Sequence, residues 1–333
     1  MREMQLIPAG KCAHRARLTP AGQSLYDAMA QAMMQRERTV TVPFGYDGAV
    51  TEIFDALLHD QPFLFDLRRE RVTVATCDAC TRVEWSYYLT DAQYAHHRMS
   101  LYQALRPLCS RIPKVGRALR REWEIHKVML SMGVKPCLED DLPWWCYSIA
   151  GPLLFGEAVC EGTALLFYLL CLLEGVPCQV ITGHSCGVHH EGCPHAWNLV
   201  TLGDQHVHVD VFWDLCLCDG DMPYSYDYFN LPDRQICSDH AWDRKLYPAA
   251  NTDRYSWFTM KRCEVFSADG FRQALAAGEE AGETQLMIRF QLLPDDETVR
   301  RIARDTLFAR RPGSIVWRIN RDQRIVQLAV TYT

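Results

Sequence analysis

The sequence predicts an α+β chain whose central segment carries a cysteine-headed apolar helix followed by a β-hairpin, with small α+β units before and after it. Three observations lead there. "VCEG" is followed by an unbroken apolar run, Ala164 to Leu173, that stops at Glu174 and Gly175, as a buried helix with a glycine just past its end does. Two β-branched runs on either side of "LGD" at 202–204 read as a hairpin. Beyond about residue 250, strand-like and helix-like runs alternate in a β-α-β-α-β-β order.

With 333 residues, 48% of them hydrophobic, the chain can bury enough surface for two or three units. A formal net charge of -6 and a pI near 6.1 leave no electrostatic footprint for nucleic acid. Arg111, Lys114, Arg117, Arg120 and Arg121 fall near helical spacing and read as one solvated helix face. The longest apolar run is about half the roughly 20 residues needed to cross a bilayer, so no membrane span is expected. The first residues lack the apolar core of a conventional secretory signal, which makes the cytoplasm the default expectation and leaves secretion open should a leader precede them. Fifteen cysteines, odd in number and without a framework, suit reduced thiols. No nucleotide, flavin or phosphate loop is evident, so no cofactor is expected.

Taken in order, Thr19 and Pro20 form an N-cap and first helical residue, opening a helix to about Arg36 with Leu25, Met29 and Met33 on one face. "TVTVPF" reads as a strand, "DGAVTEIFDALLHD" as a helix, and "RVTVATCDACTRVEWSYYL" as two strands about a turn at Asp78 to Cys80. Helices from about Asp91 to Cys109 and from about Pro113 to Met132 lead into the middle segment. After it, "RYSWFTMKRCEVFS" reads as a strand, "ADGFRQALAAGEEAG" as a helix, "TQLMIRFQL" as a strand and "PDDETVRRIARDTLFARR" as a helix. "SIVWRI" and "RIVQLAVTY" form a closing hairpin. The expected division is an N-terminal lead-in over 1–90, a core with its preceding helices over 91–250, and an accessory unit over 251–333.

Cys160 stands at the start of the apolar helix, where unpaired backbone N–H groups and the positive dipole end favour a thiolate and can donate to an oxyanion. By itself it reads first as a small core residue, as Cys171 on the same helix does. Its partners decide between the two. His195 and Asp210 lie on the paired strands of "PHAWNLVTLGDQHVHVDVFWD", expected near His195–Thr201 and His206–Phe212. An even-residue turn puts them on one face, opposite or diagonal. An Asp that orients a His, which in turn withdraws a proton from a thiol, is the chemistry of covalent acyl transfer.

The blocks "VCEGTALLFYLLCLLEGVPCQVITG", "HAWNLV" and "HVDVFWD" resemble, in that order, the bacterial transglutaminase-like family of the papain-like cysteine-protease superfamily. The likeness is strong over roughly 145–235 and extends to "YSIAGPLLFGEAVCEG" and "YSYDYFNLPD". It implies a papain/transglutaminase-like core, a triad of Cys160, His195 and Asp210, and a peptide or protein substrate. It also implies hydrolysis, as a cysteine peptidase or amidase, slightly ahead of amine transfer. A fold-retaining binding module without turnover is the alternative.

Two departures stand out. Thr163 replaces the aromatic usual after "CEG", and "GHSCGVHHEGCPHAW" adds His184, Cys186, His189, His190 and Cys193 ahead of the histidine. That loop is a zinc or disulfide candidate, although its spacing matches no standard zinc module. Cys77 and Cys80 form one CxxC without a second pair and read as a plain hairpin turn. Trp144, Trp145, Tyr147 and Trp197 are candidate walls of a substrate cleft, with core packing as the other reading.

Overall fold

Thr19 caps the first helix, α1 (Pro20–Met34), by accepting from the Gly22 N–H, and Leu25, Met29 and Met33 are buried along one face. The computed structural model describes residues 5–137, 141–186, 192–307 and 312–332, and it is mixed α+β. Helix α1 packs with α2 (Val50–Asp60) beside β1 (Thr39–Val42), β2 (Thr73–Cys77) and β3 (Cys80–Glu84), an antiparallel sheet in the order β1-β3-β2. Cys77 and Cys80 face each other across the two-residue turn Asp78-Ala79, their sulfurs 3.4 Å apart and not joined by a disulfide.

Helix α3 (Asp91–Arg111) opens with a reciprocal cap between Thr90 and Gln93. The next helix, α4 (Ala118–Ser131), starts later than its sequence pattern suggests, because Gly116 takes a φ of +106° and turns the chain. The expected basic face is therefore not one helix face. Arg111 closes α3, Lys114 in the connection bonds the Cys109 carbonyl and pairs with Glu174, and Arg117 is the N-cap residue of α4.

A parallel clip of β4 (Lys135–Pro136) and β5 (Glu157–Ala158) delivers the chain to α5 (Cys160–Leu173), buried continuously from Glu161 to Cys171. Then come β6 (Cys178–Ser185), β7 (Pro194–Leu202), β8 (Gln205–Val209), α6 (Val211–Cys216), β9 (Phe229–Leu231), α7 (Asp233–Ile236) and β10 (His240–Ala241). The strands form an antiparallel sheet in the order β10-β6-β7-β8-β9. Helix α5 lies on it, sharing a core with Val180, Val200 and Val207, and Asn198 donates to the Ala164 carbonyl at 3.1 Å. Each fully buried leucine of α5 contributes about 2 kcal/mol, so its position is set chiefly by apolar packing.

The segment expected as a strand at 254–267 instead forms a short helix, α8 (Trp257–Lys261), because Ser256 caps it by accepting from the Thr259 N–H. It is followed by β11 (Glu264–Val265), α9 (Ala268–Glu280), β12 (Gln285–Phe290), α10 (Asp296–Leu307), β13 (Pro312–Asn320) and β14 (Ile325–Tyr332). The sheet order is β11-β12-β14-β13 over a core of its own that includes Phe271, Phe290 and Ile302. No helix of the described residues is long and apolar enough to cross a membrane.

Polar groups are buried where these layers meet. Glu122 on α4 is fully enclosed, with Asn230 donating to one oxygen at 3.2 Å, and burial pushes its carboxyl up to about 8. Burial likewise pushes Asp60 and Asp227 up to about 6. Each of these groups keeps a proton in the folded state that the unfolded chain releases at lower pH. Their contribution is complete below the ordinary carboxylate range and is lost as pH rises through the folded values. Thermal melts should therefore show stability falling between about pH 5 and pH 9, with Glu122 worth a few kcal/mol. In Glu122→Gln the slope above about pH 6 should flatten, and an unchanged slope would show that Glu122 is ionised in the folded chain.

Candidate active site

Cys160 is the first residue of α5, and its N-cap, Val159, offers no side-chain acceptor, so the first N–H groups of the helix stay available around the sulfur. A Cβ on Gly162 would lie 2.3 Å from the Cys146 carbonyl oxygen and 2.9 Å from that of Ser148. The glycine thus lets 146–148 run hard against the first turn. Thr163 is fully buried, its hydroxyl donating to the Val159 carbonyl at 3.1 Å, so a small group fills the place where an aromatic was the expected residue.

Glu161 is buried beside the nucleophile position and is met by His59 at 3.3 Å and by Arg69, both from the N-terminal segment. Burial would raise this carboxyl, but the His59 hydrogen bond and the Arg69 charge overcome it and hold it below the ordinary range. Its charge is thereby balanced next to the thiol.

The register of β7 and β8 pairs Asn198 with Val209, which sets Asp210 on the diagonal from His195. Strand β8 ends at Val209, however, rather than running to Phe212. Asp210 leaves the strand and caps α6, accepting the Trp213 N–H at 3.0 Å on Oδ1. The other oxygen, Oδ2, accepts from His195 Nε2 at 2.6 Å. Cys160 is an electrostatic neighbour of His195, and with Nε2 committed to Asp210 the ring nitrogen left to face it is Nδ1. Burial by itself would strip the proton from His195; the Asp210 charge and hydrogen bond, helped by Cys160, outweigh it and raise the imidazole to about 9. Burial would also raise Asp210, and the His195 charge instead holds it far below the carboxylate range. The structure thus brings together all three residues expected to form the triad.

One partner escaped the sequence reading. His240 on β10 donates through Nε2 to the same Asp210 oxygen at 3.0 Å and meets Asp239 through Nδ1 at 2.6 Å. It lies 30 residues beyond Asp210, and only the pairing of β10 with β6 brings it back. Two further His–Asp pairs, the buried His126 with Asp214 at 2.9 Å and the buried His208 with the half-buried Asp233 at 2.8 Å, were also unforeseen; neither borders Cys160.

The thiol opens on a cleft of about 1030 Å³ between the main sheet and the N-terminal segment, lined on one side by Cys160, His195, Phe212 and Trp213 and on the other by Arg17, Glu52, Asp55, His59 and Arg69. Of the four aromatics expected as walls, Tyr147 lines it. Trp144 stacks on Tyr88, Trp145 stacks on Phe155 at 4.3 Å, and Trp197 is buried beneath His195 with ring centres 5.8 Å apart. Within the histidine-rich loop, His184, Cys186 and Cys193 are exposed, no disulfide joins the two cysteines, and His189 and His190 lie outside the described residues. Among the described residues the one close group of three metal-ligating side chains is His195, Asp210 and His240, whose facing atoms are already joined through N–H···O bonds.

No family model matches the chain, and no curated protein matches it. Among solved structures it is similar to a TGase at 10% identity and a TM-score of 0.30, over 52% of this chain and 50% of that one. It is also similar to a candidate cysteine protease from Cytophaga hutchinsonii at 13% identity and a TM-score of 0.29, over 41% of this chain and 55% of that one. A third, a candidate protease from Parabacteroides distasonis, aligns at 11% identity and a TM-score of 0.24, over 43% of this chain and 35% of that one. The chain spans about half or less of the length of each.

Gly162→Ala should push the first turn of α5 away from 146–148. The expected cost is about 1–3 kcal/mol in denaturant unfolding, accompanied by slower alkylation of Cys160. A variant of unchanged stability would mean that the loop yields without moving the helix.

Proposed function

We propose that this protein is a thiol-dependent acyl-transfer enzyme of the transglutaminase-like type, acting on amide or peptide bonds through Cys160, His195 and Asp210. The observation that carries the reading is the 2.6 Å bond from His195 to the buried carboxylate of Asp210, in a ring that shares the cleft with Cys160 at the N-terminus of α5. The three blocks that resemble the family contain these same residues.

In the reaction, His195 takes the Cys160 proton, and the sulfur attacks the substrate carbonyl to form a tetrahedral oxyanion. The free N–H groups at the head of α5 receive that charge. As the C–N bond breaks, His195 hands its proton to the departing amine and a thioester remains on Cys160. Water, activated by His195, then releases the acid; an amine in place of water gives transfer. Asp210 keeps the imidazole in one orientation and stabilises its charged form. Hydrolysis is the favoured outcome, following the family resemblance. The segments 1–90 and 251–333 are read as units that complete the cleft and buttress the sheet around the core 91–250.

Iodoacetamide should alkylate Cys160 well below the pH of about 8.5 at which a free thiol titrates, and His195→Ala should remove that advantage. Labelling that follows an ordinary thiol in both proteins would favour a binding module instead. On an accepted peptide or amide substrate, Cys160→Ala should abolish turnover and His195→Ala should reduce it by about a hundredfold or more. A chelator should leave both rates unchanged; loss of activity on chelation would point to the histidine-rich loop as a metal site.

A further inference from the structure

His240 reaches both of its neighbours with ring nitrogens aimed at carboxylate oxygens, Nε2 at Asp210 and Nδ1 at Asp239. Each carboxylate also serves as acceptor to other donors. Asp210 also accepts from His195 and from the Trp213 N–H. Asp239 also accepts from the Tyr228 hydroxyl at 2.9 Å and from Gln323 Nε2 at 2.9 Å. Two nitrogens facing two acceptor-only groups must both be N–H, which makes the ring a cation.

His208 shows the contrast within the same sheet. Its Nδ1 accepts from the Trp197 indole N–H at 3.0 Å while Nε2 meets Asp233, so it is held as the neutral tautomer. Burial lowers its affinity for a second proton in the same direction.

We propose that His240 is a positioning residue of the site, a standing imidazolium that shares Asp210 with His195 and moderates the pull of that carboxylate on the His195 proton. The inference rests on the acyl-transfer reading for its functional meaning. In that reaction His195 must surrender its proton to the leaving amine, and a carboxylate facing one imidazole alone would hold that proton more tightly. A second cation on the same oxygen offsets this and pins the carboxylate between two rings. The ring centres of His195 and His240 are 5.1 Å apart, close enough for each charge to be felt by the other. The titratable groups facing His240 are Asp239 on its own segment, Asp210 at the head of α6, His195 on β7, His208 on β8 and Tyr228 beside β9.

The device is anchored from the C-terminal segment. Gln323, in the turn between β13 and β14, is buried and donates to Asp239 and to the Ser238 hydroxyl, each at 2.9 Å. Asn320 donates to Tyr228 at 3.2 Å, and Tyr228 in turn donates to Asp239. The last hairpin therefore holds the far end of a run Asp239–His240–Asp210–His195–Cys160. A role for the C-terminal unit follows, since without its turn Asp239 loses a donor.

Nitrogen-15 NMR of the histidine side chains in the intact chain tests the charge. One ring, absent from the spectrum of His240→Gln, should show both nitrogens protonated at neutral pH, while His208 shows one protonated and one bare nitrogen. A bare nitrogen on His240 at neutral pH would overturn the proposal. The second arm follows alkylation of Cys160 by iodoacetamide against pH. In His240→Gln the upper inflection, where His195 releases its proton, should move up by about one pH unit, and Gln323→Leu should give a smaller shift in the same direction. A uniform fall in rate with both inflections in place would mean a merely structural histidine. Should His240→Gln fail to fold, Gln323→Leu carries the pH arm, and the His240 ring is found by its contact to Tyr228 at 5.6 Å between ring centres, where His195 instead meets Phe212. If Cys160 of the unaltered protein labels as an ordinary thiol, the acyl-transfer reading fails, and the NMR arm still decides the state of His240.

Discussion

The site hangs on the carboxylate of Asp210, a side chain that does three structural jobs at once. It ends β8, caps α6 with one oxygen and receives two imidazoles on the other. An acceptor enclosed this completely is rigid, because each donor it would lose on moving leaves an unpaired group in a buried setting. The aromatic rings of Trp197 and Trp213 pack against both histidines, and this apolar surround strengthens the pairing of charges. A hydrogen-bonded caps-and-strands junction thus becomes an oriented charge.

Around that junction, polar groups from every part of the chain are matched rather than avoided. Glu161, next to the nucleophile, is balanced by His59 and Arg69 from the N-terminal segment, so one wall of the cleft and the charge balance at the thiol come from the same contact. Gln323, Asn320 and Gln327 reach in from the C-terminal hairpin to Asp239, Tyr228 and Asp227. Such contacts add little apolar burial. Their effect is specificity of docking, since a shifted hairpin would strand several buried donors and acceptors together.

Much of this was legible in the residues. The cysteine at the head of an apolar run, the glycine that ends it, and the hairpin carrying His195 and Asp210 are local patterns, written in caps, periods and turns. The same holds for α1 with its Thr19 cap and for β12, α9 and α10 near the C-terminus. Where the structure departs from the local pattern, a nearby signal of opposite sense decides the outcome. Ser256 capped a helix inside a strand-like run, Gly116 interrupted a helix-like one, and Asp210 preferred to cap α6 over continuing β8.

The sequence by itself determined most of the elements, the thiol at a helix start and the two residue types, His and Asp, suited to activate it, because caps and hydrophobic periods act over a few neighbours. The tertiary structure alone decided that Asp210 leaves β8 to cap α6 while still meeting His195, and it alone brought in His240, Asp239, Arg69 and Gln323. Those contacts join residues far apart in the chain, and a contact of that kind depends on how sheets and helices dock. No local pattern encodes that docking, since the free energy that selects it is the burial and pairing of groups gathered from all three segments at once.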